Sequence, residues 1–334
     1  MPLITERKQV EAIYESAAVR GWVLPAFNTE NLTTTEAILA AATEYAAGRG
    51  LSDMPVIIGI TNNYPSRPQA RKYSHGARWE LGMRLFLKEL EILTSPGSPY
   101  AALQVMIHLD HILWDVDAGL LEWDMGQFSS IMFDASTLSL EENIAKTAAF
   151  VEKHQRHILI EGACDVIRPA SDNDTGLTTP EDAHAYLSKT GVDIIVANLG
   201  TEHRASRAGV RYHASLAREI SRRLGRGCLC LHGASSVPPE HLGTLFNDGI
   251  RRINIWTALE RESSAVLLQS MLKHASSIVG ADKTRQLLEK GWLGPLVKAE
   301  NEASVDYCTT AYRQEIVFKA MKEMVKKYYR IFYG

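Results

Sequence analysis

Cysteine is scarce in this chain: 334 residues contain four, Cys164, Cys228, Cys230 and Cys308, and no two stand in CxxC spacing. That spacing is the mark of a zinc ribbon or a thioredoxin-type redox motif, and without it disulfides or zinc ligation are the lesser alternatives. Cys228 and Cys230 sit in a strand-like run and should point to one face, so the four read as buried, reduced thiols. No uncharged apolar stretch is long enough to span a bilayer. The first ten residues carry Glu6, Arg7 and Lys8 and lack the apolar core of an export signal, so a cytoplasmic chain without a membrane partner is expected. Charge of one sign is missing too. With 36 Lys and Arg against 39 Asp and Glu, the net charge of −3 offers no basic footprint for nucleic acid, and an anionic ligand would need a local site. Internal repeats and low-complexity tracts are also absent.

What is present is an ordinary globular composition, 46% hydrophobic and 22% charged, able to bury a sizeable core. Eight short apolar runs bounded by turn residues occupy 23–28, 55–61, 104–111, 129–136, 157–163, 192–200, 228–233 and 250–257. Most are continuous hydrophobics (VIIGI, IIVANL, CLCL), the pattern of parallel strands covered on both faces. Helix-like stretches at 32–47, 77–93, 140–154, 180–189, 216–224 and 239–247 separate them. Thr178 and Thr179 stand before Pro180-Glu181-Asp182, where a hydroxyl can cap free amides. Eight strands alternating with helices predict an α/β fold, a (β/α)8 TIM barrel, with a doubly wound sheet as the rival. The whole chain, 1–334, reads as one domain whose last part, 263–334, is a C-terminal helical extension closing the barrel or building an oligomer contact. The segment 63–75 reads as an exposed loop and 169–176 as a polar loop long enough to move.

In a barrel of this kind the strand ends carry the chemistry. His111, His203 and His232 stand at or just past the ends of the third, sixth and seventh runs. Three neutral imidazoles with an open position make a catalytic zinc arrangement, and histidine argues for Zn²⁺ or a neighbouring transition metal over Mg²⁺. In His108-Leu109-Asp110-His111, strand alternation would put Asp110 and His111 on opposite faces, so a turn is expected there. A carboxylate beside a ligand histidine can act as acid or base on a nearby oxygen; helix capping or an arginine partner is the alternative. Gly233-Ala234-Ser235-Ser236 after run seven and Thr257 after run eight occupy the positions where barrels often bind phosphate, and Ser235 and Thr257 suit that role unless each is merely an N-cap. No lysine stands at a strand end.

Together these motifs resemble the class II, metal-dependent ketose-bisphosphate aldolases, the fructose- and tagatose-bisphosphate aldolase type. The resemblance runs through Ala26-Phe27-Asn28, the HLDH of 108–111, Phe133-Asp134-Ala135-Ser136 beside the family's FDGS, and Glu141-Glu142-Asn143. It continues through Gly200-Thr201-Glu202-His203 beside GTSH, Leu231-His232-Gly233-Ala234-Ser235 beside LHGGS, and Ile253-Asn254-Ile255-Trp256-Thr257 beside INVNT. It implies a zinc or other divalent transition-metal ion on His111, His203 and His232, with a monovalent cation near backbone carbonyls as a further candidate. Asp110 would shuttle the proton of the hydroxyl whose carbon–carbon bond breaks. Asn28, Thr61, Gly233, Ser235, Asn254 and Thr257 would contact substrate and its phosphate, and Asp134 and Glu161 would orient the ligands. The implied reaction cleaves a phosphorylated ketose to dihydroxyacetone phosphate and an aldehyde through a metal-stabilised enediolate, in a homodimer or homotetramer.

The departures bear on substrate choice. The family's VEAELG is here Ile160-Glu161-Gly162-Ala163-Cys164-Asp165, which keeps one glutamate and loses the other. The following loop, 166–176, has no glutamate, leaving Asp172 or Asp174 as replacements. Arg204 replaces a glycine, Arg207 a lysine, Trp256 the middle Asp or Asn of INVNT, and Thr61 a serine. Arginine adds planar, bidentate charge and tryptophan adds bulk, so an altered substrate is expected. The missing glutamates keep open a non-catalytic sugar-phosphate-binding relative, and because barrels host many chemistries a different metal-assisted reaction on the same barrel is a further alternative.

Overall fold

Each of the eight apolar runs becomes a strand: β1 (Leu24–Asn28), β2 (Pro55–Ile60), β3 (Gln104–Leu113), β4 (Ser130–Asp134), β5 (Leu159–Ala163), β6 (Ile194–Val196), β7 (Leu229–Leu231) and β8 (Ile250–Ile255). In this computed structural model, which describes residues 3–166, 176–201 and 212–334, neighbouring strands pair in parallel in chain order. β8 returns to β1 with Ala26 opposite Asn254, so the sheet is a closed barrel. That closure removes the doubly wound alternative, because an open sheet leaves two unpaired edges.

The helices are α1 (Arg7–Val19), α2 (Leu32–Arg49), α3 (Gln69–Lys72), α4 (Trp79–Leu93), α5 (Ala118–Leu121), α6 (Leu140–His154), α7 (Pro180–Thr190), α8 (Ala214–Leu224) and α9 (Pro239–Leu242). A C-terminal set follows: α10 (Thr257–Lys273), α11 (Ala275–Val279), α12 (Ala281–Glu289), α13 (Val305–Cys308) and α14 (Thr310–Phe332). Local chemistry starts several of them. Asn31 and Ser139 form reciprocal capping boxes with Thr34 and Glu142. Thr179 caps α7 by accepting from Asp182 N–H, whereas Thr178 donates to Asp165 and accepts from Asn198 N–H, tying the ends of β5 and β6.

Several sequence expectations are corrected. The helical tail begins at Thr257, directly after β8, and the 239–247 stretch is α9 plus a separate 3₁₀ turn, Leu245–Asp248. Only three of the four thiols are buried; Cys308 is exposed. The 63–75 loop is exposed only in part: Pro65 and Ser66 face solvent, but Arg67 turns inward and Gln69 and Ala70 are buried where α3 packs on α4. The loop cannot be open where its backbone and amide side chains bond the barrel rim.

The barrel interior is not wholly apolar. Arg252 on β8 is fully buried and ion-pairs with Glu161 on β5, while its guanidinium donates to His108 Nε2 at 3.1 Å. Burial first, then Arg252, pushes His108 well below its usual pKa, so its ring is neutral and can accept. α14 seals one flank of the barrel, with Tyr329 fully buried edge-on to Phe27 of β1 at 5.4 Å.

Candidate active site

A bulge in β3 builds the centre of the site. Between Leu109 and Ile112, opposite Ile131 and Phe133, β3 has one residue more than β4, and His111 takes φ +47°. The expected turn is therefore a bulge inside a strand that continues to Leu113. Its effect is to let consecutive residues face one site, which regular alternation forbids. A non-glycine residue in left-handed backbone costs on the order of 1–3 kcal/mol and is held only where its surroundings demand it.

Around that bulge, His111 Nε2 and His232 Nδ1 converge to 3.1 Å. Behind each ring stands a carboxylate: His111 Nδ1 meets Asp134 Oδ2 at 2.9 Å and His232 Nε2 meets Glu161 Oε1 at 3.0 Å. Asp134 is fixed in turn by the Ser136 hydroxyl and amide. The arrangement suits a metal ion. Two nitrogens bound tetrahedrally at 2.0–2.1 Å lie about 3.3 Å apart, and a carboxylate behind each imidazole sets its tautomer and aim. Burial above all, then Arg67, lowers the His232 pKa against the pull of Asp110 and Asp134, favouring the neutral ring that a ligand must be. Ligand atoms of Asp110, His111 and His232 all lie within 4.8 Å of one another. His203 lies outside the described residues, as do Asp172, Asp174, Glu202, Arg204 and Arg207.

Asp110 is buried and crowded with donors. Asn254 Nδ2 on β8 reaches Oδ1 at 2.9 Å; Asn28 Nδ2 on β1 and Arg67 Nη2 reach Oδ2 at 2.8 and 2.6 Å. Burial would raise its pKa, but Arg67 and then the surrounding histidines outweigh it and hold the carboxyl well below the usual range. Asn28 and Thr61, placed on the substrate from sequence, have other contacts: Asn28 holds Asp110, and the Thr61 hydroxyl donates to the Arg67 carbonyl and accepts from Gln69 N–H.

The cleft above this centre, lined by Arg67, Asp110, His232, Gly233, Ala234, Ser235, Asn254, Trp256 and Thr257, is narrow and opens to solvent. Gly233 takes φ +72° to open the 3₁₀ turn Ala234–Ser236, and α10 starts at Thr257 without a side-chain cap. Neither Ser235 nor Thr257 is thus an N-cap residue, and the positive end of α10 faces a concave surface.

Sequence reading missed Arg67, Tyr64, Gln69 and Glu30. Tyr64 stacks on His111 at 4.5 Å, and Arg67 lies over the Trp256 ring at 4.9 Å. Glu30 Oε1 accepts from Trp256 Nε1 at 2.7 Å and Gln69 Nε2 at 2.8 Å. Nothing local in 63–75 announces these roles. Arg252 did leave a signal, a charge within the apolar run 250–255 that implies a buried partner.

Fold and site define a (β/α)8 barrel whose polar centre lies at the carboxyl ends of its strands. Among known proteins, the family model described as fructose-bisphosphate aldolase class-II matches residues 8–334, and the chain belongs to that family. It is 28% identical over 307 residues to a fructose-bisphosphate aldolase of Streptococcus pyogenes serotype M1, covering 90% of this chain and 94% of that one. It is 25% identical over 316 residues to a probable fructose-bisphosphate aldolase of Bacillus subtilis, covering 91% and 96%. The crystal structure of a fructose-bisphosphate aldolase from Campylobacter jejuni superposes with TM-score 0.76 at 19% identity, over 99% of this chain and 95% of that one, a likeness of fold.

Proposed function

We propose that the chain is a metal-dependent aldolase that cleaves a phosphorylated ketose to dihydroxyacetone phosphate and an aldehyde. Family membership and the names of its relatives support an aldolase. The observation that carries the finer reading is the pair of converging imidazoles, each backed by a carboxylate, beside Asp110. His111 and His232, with His203, would hold zinc or another divalent transition metal. When bound, the ion supplies charge stabilisation on the ketone side as the carbon–carbon bond breaks. Asp110 takes the proton of the hydroxyl on the departing aldehyde half and returns it in the condensation direction, while Asn28 and Asn254 keep its carboxylate aimed. The Gly233 backbone, Ser235, Asn254 and Thr257 hold the phosphate half with amides, small hydroxyls and the α10 end.

The working protein in this reading is cytoplasmic, consistent with the absence of a described helix apolar enough to cross a membrane, and it pairs with further copies of itself. The exposed side chains of Trp292 (72%), Leu296 (94%) and Val305 (74%) give such a contact apolar surface.

Metal analysis of the purified protein and a coupled assay for dihydroxyacetone phosphate test the proposal. Chelation should abolish release and added metal restore it; Asp110→Asn should lower kcat by about 10²–10⁴. Turnover indifferent to chelator removes the metal from the reading. Thermal stabilisation by ketose phosphates without any turnover marks a binding protein instead.

A further inference from the structure

Asp110 is left with a single acceptor position, and the partner best placed to yield another is identifiable. A carboxylate offers about four acceptor positions, and three here are taken by Asn254, Asn28 and Arg67. Asn28 and Asn254 belong to barrel strands, where the ladder pairs Asn28 with Gly59 and Asn254 with Ala26. Arg67 comes from the loop between β2 and α3. Its side chain is 10% exposed, its Nε has no hydrogen-bond partner among the described residues, and its guanidinium lies over the Trp256 ring at 4.9 Å and the Tyr64 ring at 5.9 Å. The Trp256 platform is itself locked by the bond to Glu30. A guanidinium so enclosed cannot give up its only described anionic partner without a replacement, because an unpaired buried charge is far costlier than a paired one.

Resting on the aldol reading of this site, we propose that Arg67 determines specificity for the aldehyde half of the substrate. Its guanidinium leaves Asp110 as substrate enters and pairs with an anionic group, phosphate or carboxylate, carried by that half. The exchange frees a second acceptor position on Asp110, at Oδ2 beside Asn28, for the reacting hydroxyl when the incoming molecule brings its own negative charge. Arginine's planar fork suits either oxyanion, and the two aromatic faces keep it near the reacting end of the pocket during the exchange. Trp256 acquires a reason: it is a surface on which the guanidinium rests.

The test uses the metal-loaded protein in the condensation direction, with dihydroxyacetone phosphate and three aldehydes: glyceraldehyde 3-phosphate, succinic semialdehyde and neutral glyceraldehyde. The wild type should favour at least one anionic aldehyde, and the phosphate and carboxylate arms show which. Arg67→Gln should reduce the anionic-to-neutral ratio of kcat/KM about 10- to 100-fold, the size of one charge-assisted contact, and Arg67→Lys should keep part of it. Equal loss on charged and neutral aldehydes overturns the proposal, as does a loss confined to the KM of dihydroxyacetone phosphate. Should the wild type form no carbon–carbon bond with any aldehyde, the aldol reading itself fails. Arg67 is then read by thermal stabilisation with fructose 1-phosphate against fructose 1,6-bisphosphate. Arg67→Gln must erase a wild-type preference for the bisphosphate, and a preference that survives, or never existed, sinks the idea.

Discussion

Glu260, in the first turn of α10, shows how one side chain couples the rim of the site to pH. Burial first, and then the negative charge of Glu30, raise its pKa from 4.5 to about 7. The folded chain therefore keeps a proton that the unfolded chain releases, and stability declines as pH rises from about 4.5 to about 7. Glu260→Gln cannot ionise and should raise Tm by about 1–3 °C at pH 8, with no difference at pH 4, by calorimetry. An equal shift at both pH values would place the effect in packing rather than charge. At this scale the sequence was most legible where chemistry is local. Asp110, His111 and His232 could be picked out from strand ends alone, and Asp134 and Glu161 do stand behind the two rings. Arg67 could not, since its importance lies in reaching across 43 residues to Asp110.

Elements position those side chains through close approaches that tolerate no extra atom. Gly82 of α4 lies against α3: a Cβ there would fall 1.7 Å from the Ala70 carbonyl oxygen and 3.0 Å from Tyr73 Cβ. α3 begins with Gln69, which bonds Thr61 N–H, Asn28 and Glu30, so displacing it moves the loop that delivers Arg67. Gly82→Ala should cost about 1–3 kcal/mol in urea unfolding and lower turnover as well. Gly48→Ala in α2, where a Cβ meets nothing within 4 Å, should be neutral or slightly stabilising. Equal behaviour of the two would mean that the α3–α4 contact does not position the loop. Periodicity located the strands and most helices because burial on two faces leaves an unmistakable apolar run. It could not foresee the β3 bulge, since an inserted residue leaves composition unchanged and shows only in the register against β4.

The closed barrel consumes its own sheet edges, so any further assembly must use helices and loops, and the C-terminal region presents apolar side chains to solvent. Leu296→Glu should lower the mass seen by analytical ultracentrifugation at micromolar concentration if copies meet there, with little change in Tm at low concentration. An unchanged mass would move the contact elsewhere. The tail is divided in use: Tyr329 and Phe332 of α14 are buried in the core, whereas Trp292, Leu296 and Val305 between α12 and α14 are not. Both groups are equally apolar in the sequence, and only packing separates them. By itself the chain's order of residues determined eight buried strands, intervening helices, the histidines and carboxylates at strand ends, and through them the family. Those follow from interactions within a few residues and from the period of burial. The tertiary structure alone decided barrel closure through β1 and β8, the Arg252–Glu161 pair inside it, and the Arg67 contact on Asp110. Each joins groups far apart along the chain, and their energy depends on a desolvated geometry that exists only after folding.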